Sequence, residues 1–249
     1  MYLCYYFLLI LCLFTRNPLL ADNQAHKFFY DRDWCYQPII INGKIIYNDG
    51  NIWGHQIISK RYAVIKNVLE PLEGPLKILD IGANNGYFSL KIAEEYPNNN
   101  CIMIDGTSRL ADICIANTER DNITYLKKYL SIHDLRNIAS NDRFDVVLCL
   151  FVLHHVDHWF LWLTELKKMS RYIIIEMPPL DDVINTAPNT RALTNYILAN
   201  EDYEELGRFD RGPNGPKDYL ILIKGDSDEP VGNMHLDPKT YLYLKEKEG

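Results

Sequence analysis

The stretch that most constrains the fold is residues 77–90, K-I-L-D-I-G-A-N-N-G-Y-F-S-L. Its first five residues form a short apolar run that also contains a lysine and an aspartate, and they predict a buried parallel strand. A turn of glycine and asparagine over residues 82–86 then leads into the apolar spacing of a helix. A strand, a tight turn and a helix in this order predict the first unit of a doubly wound α/β domain. In such a domain a ligand lies at the carboxyl end of the strand.

The spacing within the turn separates two kinds of ligand. A dinucleotide fingerprint needs glycine at the first, third and sixth positions, which here are Gly82, Asn84 and Tyr87. Two of these three positions fail. The pattern that stands instead is D-x-G-x-N-x-G, which begins at Asp80 and ends at Gly86. Asparagine tolerates left-handed backbone better than most residues, so the turn can form without the middle glycine.

This pattern resembles the first motif of class I S-adenosylmethionine-dependent methyltransferases, D/E-x-G-x-G-x-G, with asparagine in the middle position. The resemblance implies a Rossmann-like fold, S-adenosyl-L-methionine as the cofactor and methyl transfer as the reaction. It also implies cofactor contacts along the motif and the start of the next helix: Asp80, Gly82, Ala83, Asn84, Gly86, Tyr87 and Phe88. A strand–helix turn that binds no ligand is the alternative.

Strands and helices alternate after the motif, as in a doubly wound domain. The further predicted strands are residues 101–105, 123–130, 145–150 and 172–176, and two strands within 207–223 that flank a Gly/Pro-rich turn at 212–216. The predicted helices are residues 54–69, 108–118 and 157–169. We therefore expect a Rossmann-like methyltransferase fold with a mostly parallel sheet, closed by a C-terminal antiparallel hairpin.

Four segments are predicted along the chain: an apolar segment at 1–22, an extension at 23–53, the methyltransferase domain at 54–224 and a polar tail at 225–249. The extension contains a hairpin that turns at Asn42-Gly43, a strong hairpin signal. The tail is charged with one apolar patch, so we expect it to lie loosely on the body of the domain.

The first residues do not decide the subcellular location of the protein. Residues 2–14 are almost wholly apolar, but no lysine or arginine precedes them, and the run is shorter than the about 20 residues of a spanning helix. A secretory signal, an interfacial membrane anchor and an extension upstream of the true domain are the three interpretations. Because S-adenosylmethionine is a cytosolic metabolite, we expect a cytoplasmic enzyme, with membrane association through this segment as a further option.

Charge and cysteine content narrow the class of partner. The formal charge of −7 and the pI near 5.5 argue against a broad nucleic-acid surface. The six cysteines form no C-x-x-C pair, and Cys101 and Cys149 fall inside predicted core strands. A free thiol in that setting packs as a small apolar side chain. The sequence therefore predicts neither a disulfide framework nor a structural zinc site.

Two acids, after the second and third strands, are the predicted contacts of the cofactor's nucleoside. Asp105, followed by Gly106, ends the second strand, where a carboxylate can accept hydrogen bonds from both ribose hydroxyls. In the family this acid holds the cofactor ribose; an acid that caps the next helix is the alternative. The family usually places an acid or amide for the adenine amino group after the third strand, and Asp134 is the candidate, with a surface loop acid as the alternative.

The stretch after the fourth strand, L-F-V-L-H-H-V-D-H, resembles the loop that in this family separates cofactor and acceptor. Leu150 and Phe151 are predicted to touch the cofactor, and His154 and His155 are the candidate catalytic groups. A hydroxyl acceptor must lose a proton during methyl transfer, and histidine has a suitable pKa for taking it. The alternatives are a metal site, which the adjacent spacing of ligands disfavours, and a histidine that packs in the core.

A narrower resemblance links the chain to bacterial methyltransferases of surface polysaccharides, including those that cap O-antigen chains. The similar stretches are Y-Q-P-I-I-I-N-G-K, S-K-R-Y-A-V-I and L-D-I-G-A-N-N-G-Y-F-S-L. By this resemblance Arg61 and Tyr62 would stand near the methionine end of the cofactor, with Arg61 paired to its carboxylate. The alternative places Tyr62 in the core and Arg61 on the surface.

We therefore expect methyl transfer to an oxygen of a sugar, sugar phosphate or other small acceptor, which includes a glycan. The alternative from a different class is a non-catalytic domain that keeps the fold and binds the nucleoside or a protein partner. No nucleic-acid partner and no metal are expected. The sequence predicts no oligomeric state.

Overall fold

Strand β3 (Lys77–Ile81), the strand before the glycine turn, lies inside a seven-stranded sheet in the computed structural model of the chain. All five of its residues are buried, as the apolar run predicts. The structure describes residues 37–41, 43–46, 52–106, 120–180, 189–210, 217–228, 231 and 233–246. The predicted apolar segment at 1–22, the helix at 108–118 and the turn at 212–216 lie outside these ranges.

The sheet confirms the predicted fold class. Its strands are β3, β4 (Asn100–Asp105), β5 (Ile123–Lys127), β6 (Phe144–Leu150), β7 (Ser170–Met177), β8 (Tyr203–Asp210) and β9 (Lys217–Lys224), in the order β5-β4-β3-β6-β7-β9-β8. The first five run parallel, and β9 pairs antiparallel with both β7 and β8. The chain order reverses between β3 and β6, and this reversal is where a doubly wound sheet places its ligand.

The described helices are α1 (Ile52–Leu69), α2 (Tyr87–Glu95), α3 (Ile132–Asn141), α4 (Trp159–Met169), α5 (Thr190–Asn200) and α6 (Pro238–Glu246). Helices α1 and α4 match the predicted bounds within two residues, and α2 follows the glycine turn as predicted. The predicted third strand was too long, since β5 ends at Lys127 rather than at residue 130. In the described ranges, none of the helices is long and apolar enough to cross a membrane.

The N-terminal hairpin forms as predicted. Strands β1 (Ile39–Ile41) and β2 (Lys44–Ile46) pair antiparallel around Gly43, whose φ of 79° lies in the left-handed region that glycine reaches without cost. All three residues of β1 are buried, and the amide of Asn85 donates a hydrogen bond to the Gln37 carbonyl (3.3 Å). The segment just before the hairpin therefore touches the glycine turn.

The expectation of a loose C-terminal tail is wrong. Leu236 and Leu244 are buried in the same core as the sheet. Leu244 lies in the apolar patch that the sequence shows, whereas Leu236 stands among polar residues.

Polar contacts at the amino end of β3 also fix the tail. The buried Lys77 ammonium lies 2.7 Å from the Asp142 carboxylate and donates to the His235 carbonyl at 2.8 Å. The backbone N–H of Asp237 donates to the same carboxylate oxygen of Asp142 at 3.0 Å. The ring of Phe144 lies 5.0 Å below the ammonium, within range of a cation–π contact.

Candidate active site at the carboxyl edge of the sheet

The turns after β3, β4 and β6 meet at the carboxyl edge of the sheet. The backbone N–H of Gly82 donates to the Ile104 carbonyl near the end of β4 (2.8 Å). A Cβ on Gly82 would stand 2.5 Å from the Val152 side chain, so the turn after β3 lies directly against the loop after β6. Only glycine allows this approach, and Gly82 also has a φ of 70°.

The turn at residues 82–86 keeps the shape that the sequence predicts despite its asparagine. Asn84 adopts a φ of 54°, and Gly86, which immediately precedes α2, has a φ of 71°. Asparagine is among the few residues that reach this region at small cost. Ala83, Tyr87 and Phe88 are buried behind the turn, with the two rings edge to face at 5.5 Å.

Asp105 stands against this turn, as a nucleoside site requires. Its carboxylate accepts a hydrogen bond from the backbone N–H of Asn84 (2.8 Å), and the residue is 8% exposed. The structure thus brings the predicted ribose ligand and the predicted cofactor loop into direct contact.

Asp80 lies beneath the turn in the core. Its carboxylate accepts a hydrogen bond from the Ser89 hydroxyl (2.7 Å) on the first turn of α2. Burial raises the pKa of Asp80 to about 7, because a charged carboxylate loses its hydration there, and the Ser89 hydrogen bond offsets part of that rise. Asp80 therefore joins β3 to α2, and its direct contact with a cofactor stays a prediction.

Asp134 has a structural role that the sequence analysis missed. It forms a capping box with Ser131 at the start of α3: its carboxylate accepts from the backbone N–H and the hydroxyl of Ser131, both at 2.7 Å. The Lys128 ammonium lies 3.8 Å from its other oxygen. Asp134 therefore caps α3, and its contact with the adenine amino group stays a prediction. Because β5 ends early, the residues at the sheet edge are Lys128 and Tyr129 instead.

The loop after β6 places the two candidate histidines differently. His154 is fully buried, its ring 4.5 Å from that of Phe151 and 3.9 Å from that of His155. His155 is exposed on one side, and partial burial lowers the pKa of its imidazole. The geometry therefore separates them: His155 is exposed, whereas His154 packs in the core, and a catalytic role for either stays a prediction.

Phe151 carries backbone strain in this loop. Its φ of 62° is unusual for a bulky residue, and its N–H donates to the Glu176 carbonyl at the end of β7 (3.0 Å). Strained residues of this kind concentrate at functional sites. Leu150, the last residue of β6, is partly exposed beside it.

Arg61 and Tyr62 both come to this edge of the sheet but make different contacts. Tyr62 packs edge to face on Tyr87 with the ring centroids 6.2 Å apart. The Arg61 guanidinium lies 2.8 Å from Glu176 and 3.7 Å from Asp218, two carboxylates that are almost fully buried. The sequence analysis missed both carboxylates as partners, although Glu176 ends an apolar run and so had a signal. Pairing of Arg61 with a cofactor carboxylate stays a prediction.

The metal-binding residue types of the described chain are spread apart. Among the residues that the structure describes, no group of three or more His, Cys, Asp or Glu side chains is arranged to hold an ion. The thiols of Cys101 and Cys149 are buried and unbonded to each other, and burial raises the pKa of both.

A doubly wound sheet with an antiparallel end, a glycine turn after β3 and an acid after β4 defines the class I S-adenosylmethionine-dependent methyltransferases. The sequence agrees, because residues 53–211 match the family described as "Methyltransferase domain". The chain belongs to this family, and S-adenosylmethionine is its cofactor. No curated protein sequence is significantly similar to the chain.

Two solved proteins illustrate the fold. The N-terminal domain of EvdMO1, crystallised with SAH, is 18% identical, with a TM-score of 0.56 over 82% of this chain and 97% of that domain. The bifunctional kinase-methyltransferase WbdD is 20% identical, with a TM-score of 0.53 over 80% of this chain and 46% of WbdD. The chain thus spans about half the length of WbdD. The resemblance to methyltransferases of surface polysaccharides is in line with these neighbours.

Proposed function

We propose that the protein transfers the methyl group of S-adenosylmethionine to a hydroxyl oxygen of a sugar, sugar phosphate or other small acceptor. The observation that carries the proposal is the hydrogen bond between the Asn84 backbone and the Asp105 carboxylate. This contact supports the proposal because it joins the acid predicted to bind the ribose to the turn predicted to bind the cofactor. The bound cofactor would supply a methyl group on a positively charged sulfur.

The side chains of this chain then bind, orient and take up a proton. Asp105 would accept hydrogen bonds from the ribose hydroxyls and fix the nucleoside along the turn at 82–86. His155 would take the acceptor's proton on a ring nitrogen as the new oxygen–carbon bond forms. The lowered pKa of His155 keeps the imidazole neutral, and so able to accept a proton, at neutral pH. His154 and Phe151 would hold the loop so that acceptor and methyl group are in line.

Two features support an oxygen acceptor of the sugar type. The exposed imidazole is suited to a hydroxyl, which must be deprotonated, whereas an ionised phosphate or carboxylate would need no base. EvdMO1's N-terminal domain was also crystallised in the presence of SAH and D-fucose. We further infer that the enzyme acts in the cytoplasm, where the cofactor is made.

The test is a transfer assay with methyl-labelled S-adenosylmethionine and a panel of sugars, sugar phosphates and glycan extracts. Label in a product with the mass of one added methyl group is expected, and Gly82→Val should abolish it by pushing Val152 into the turn. Calorimetry with SAH, run in parallel, identifies the other class of function. Binding of SAH without transfer to any acceptor would favour a non-catalytic binding domain.

A further inference from the structure

Two exposed aromatic side chains on α4 and α5 are connected through a third ring. Phe160 is 50% exposed and Tyr196 is 40% exposed. The Trp159 ring joins them, because its centroid lies 6.2 Å from that of Phe160 and 5.2 Å from that of Tyr196. Aromatic rings usually bury most of their surface, since leaving them in water forgoes the hydrophobic free energy. We call Trp159, Phe160 and Tyr196 the aromatic patch.

The aromatic patch belongs to the same edge of the sheet as the loop after β6. Trp159 is the first residue of α4, which follows that loop directly. The side-chain amide of Asn189, just before α5, donates to the Val156 carbonyl in the loop (2.8 Å). The Thr194 hydroxyl of α5 donates to the Pro178 carbonyl, just beyond the end of β7 (2.8 Å). The loop and the two helices that carry the patch are therefore joined at the carboxyl edge.

The helical surroundings of the aromatic patch are neutral. On a helix, the neighbours of a residue stand three and four positions away from it. The exposed helical neighbours of Phe160 and Tyr196 are Thr164, Ala192, Ala199 and Asn200. None of these four described neighbours carries a positive charge that could pair with a phosphate group or an anionic lipid. The patch is therefore suited to a ligand without charge.

A sugar ring has the chemistry that such a patch can bind. The C–H groups on one face of a sugar ring are apolar, and they carry small positive partial charges because each carbon is bonded to oxygen. The face of an aromatic ring carries negative partial charge and attracts them. Asp157 and His158, two exposed residues directly before Trp159, add groups that can form hydrogen bonds with sugar hydroxyls.

We propose that the aromatic patch binds a neutral sugar unit of a glycan acceptor, adjacent to the unit that receives the methyl group. This proposal rests on the proposed function, and it narrows the acceptor to a chain of two or more sugar units. The patch follows the loop that carries His155. A glycan whose reacting hydroxyl meets His155 would therefore continue along the surface onto the rings, whereas a monosaccharide would leave the patch uncovered.

Native gel electrophoresis in the presence of soluble neutral polysaccharides tests the patch without requiring methyl transfer. The probes are a mannan, a dextran and a galactan, and a gel without polysaccharide is the reference. We expect one or more of them to retard the wild type. The double variant Phe160→Ala, Tyr196→Ala should bind that polysaccharide about tenfold more weakly, because it lacks both aromatic anchors.

Two further variants serve as controls. Tyr196→Phe keeps the face of the ring, so its affinity for the polysaccharide should stay within about twofold of the wild type. Leu242→Ala removes a 56% exposed apolar side chain from α6 and should be retarded like the wild type. Calorimetry should give the same Kd for SAH in all variants, which shows that they are folded. With an acceptor found in the transfer assay, the double variant should raise the KM for an oligosaccharide and leave kcat unchanged.

The outcomes distinguish this proposal from the proposed function. If no polysaccharide retards the wild type, or if the folded double variant is retarded equally, the patch does not bind sugar, and the proposed function is unaffected. A wild-type dimer that the double variant dissociates in sedimentation velocity would also overturn the proposal, since a second copy would then cover the rings. Retardation of a wild type that fails to bind SAH would instead overturn the proposed function and leave a sugar-binding surface.

Discussion

The two ends of strand β3 are built on opposite principles. At the amino end, the Lys77 ammonium and the Asp142 carboxylate are each 2% exposed and lie 2.7 Å apart, so the buried charges offset each other. At the carboxyl end, Asp80 is buried without a cation beside it among its described contacts, and its pKa rises to about 7. At the amino end, opposite charges pair and join distant parts of the chain. At the carboxyl end, a buried acid lies beneath the glycine turn without such a pair among its described contacts.

Backbone strain follows the same division. Six residues of the described chain have positive φ, and four of them (Gly82, Asn84, Gly86 and Phe151) belong to the turns after β3 and β6. Left-handed backbone is unfavourable for residues other than glycine, and it persists where the surrounding structure holds it. We therefore expect the amino edge to contribute mainly to stability and the carboxyl edge mainly to ligand binding.

His155→Ala tests the chemical side of this division and has the largest expected effect. Loss of the proton acceptor should lower kcat by roughly 10²–10⁴-fold while the Kd for SAH is unchanged. In the wild type, kcat/KM should decrease at acidic pH, with the midpoint of the decrease below the ordinary histidine pKa of 6.5. The variant should lack this decrease. His133→Ala, an exposed histidine on α3, is the control. Unaltered turnover would mean that the acceptor arrives already ionised.

Lys77→Met tests the stability side. Removing one partner of a buried ion pair leaves the Asp142 charge uncompensated, and the free energy of unfolding should fall by about 3–5 kcal/mol. Urea titration measures it. Adding Asp142→Leu to Lys77→Met should recover part of the loss. A drop in SAH affinity of the folded variant, rather than in stability, would contradict the division between the edges.

Asp105→Ala should have a smaller effect, confined to the ligand. Hydrogen bonds to a charged group contribute about 1.5–3 kcal/mol, so the Kd for SAH should rise by roughly 10–100-fold. Urea titration should detect little change in stability. Asp121→Ala removes an exposed carboxylate before β5 and serves as the control. If both variants bind SAH equally well, Asp105 does not hold the ribose.

Asp80→Asn has the smallest and most specific effect, a change in pH dependence. Because the folded pKa of Asp80 is raised from 3.8 to about 7, its stabilising contribution is complete below pH 3.8 and is lost as the pH rises towards 7. Asparagine keeps an acceptor for Ser89 but does not titrate. The variant's stability relative to the wild type should therefore increase from pH 4.5 to pH 8. Parallel pH curves for the two proteins would refute the raised pKa.

The sheet and its central turn could be predicted because their signals are local. The apolar run of β3 and the Asn42-Gly43 hairpin each depend on neighbouring residues, and both formed where expected. Helix α5 was not predicted, because its buried Leu193 and Ile197 are surrounded in the sequence by polar residues. The packing of the tail was missed although Leu244 belongs to its apolar patch; Leu236, Tyr241 and Tyr243 also pack on the core.

The candidate site was only partly predictable, because some of its groups meet across the chain. The contact of Asp105 with the turn follows from two adjacent parallel strands, which the sequence predicts. Arg61 of α1 pairs with Glu176 at the end of β7 and with Asp218 of β9, and although Glu176 ends an apolar run, that signal does not indicate its partner. The capping role of Asp134 has a local signal, Ser131 three residues before it, and contact of Asp134 with the adenine stays a prediction.

The placement of β9 has a practical consequence for shortening the chain. The matched family region stops at residue 211, yet β9 begins at Lys217 and is inserted between β7 and β8. A fragment that ended at 211 would strip β7 of its neighbour and leave a row of unpaired backbone groups along Tyr172–Met177, a template for aggregation. Soluble fragments of this protein should therefore extend through α6.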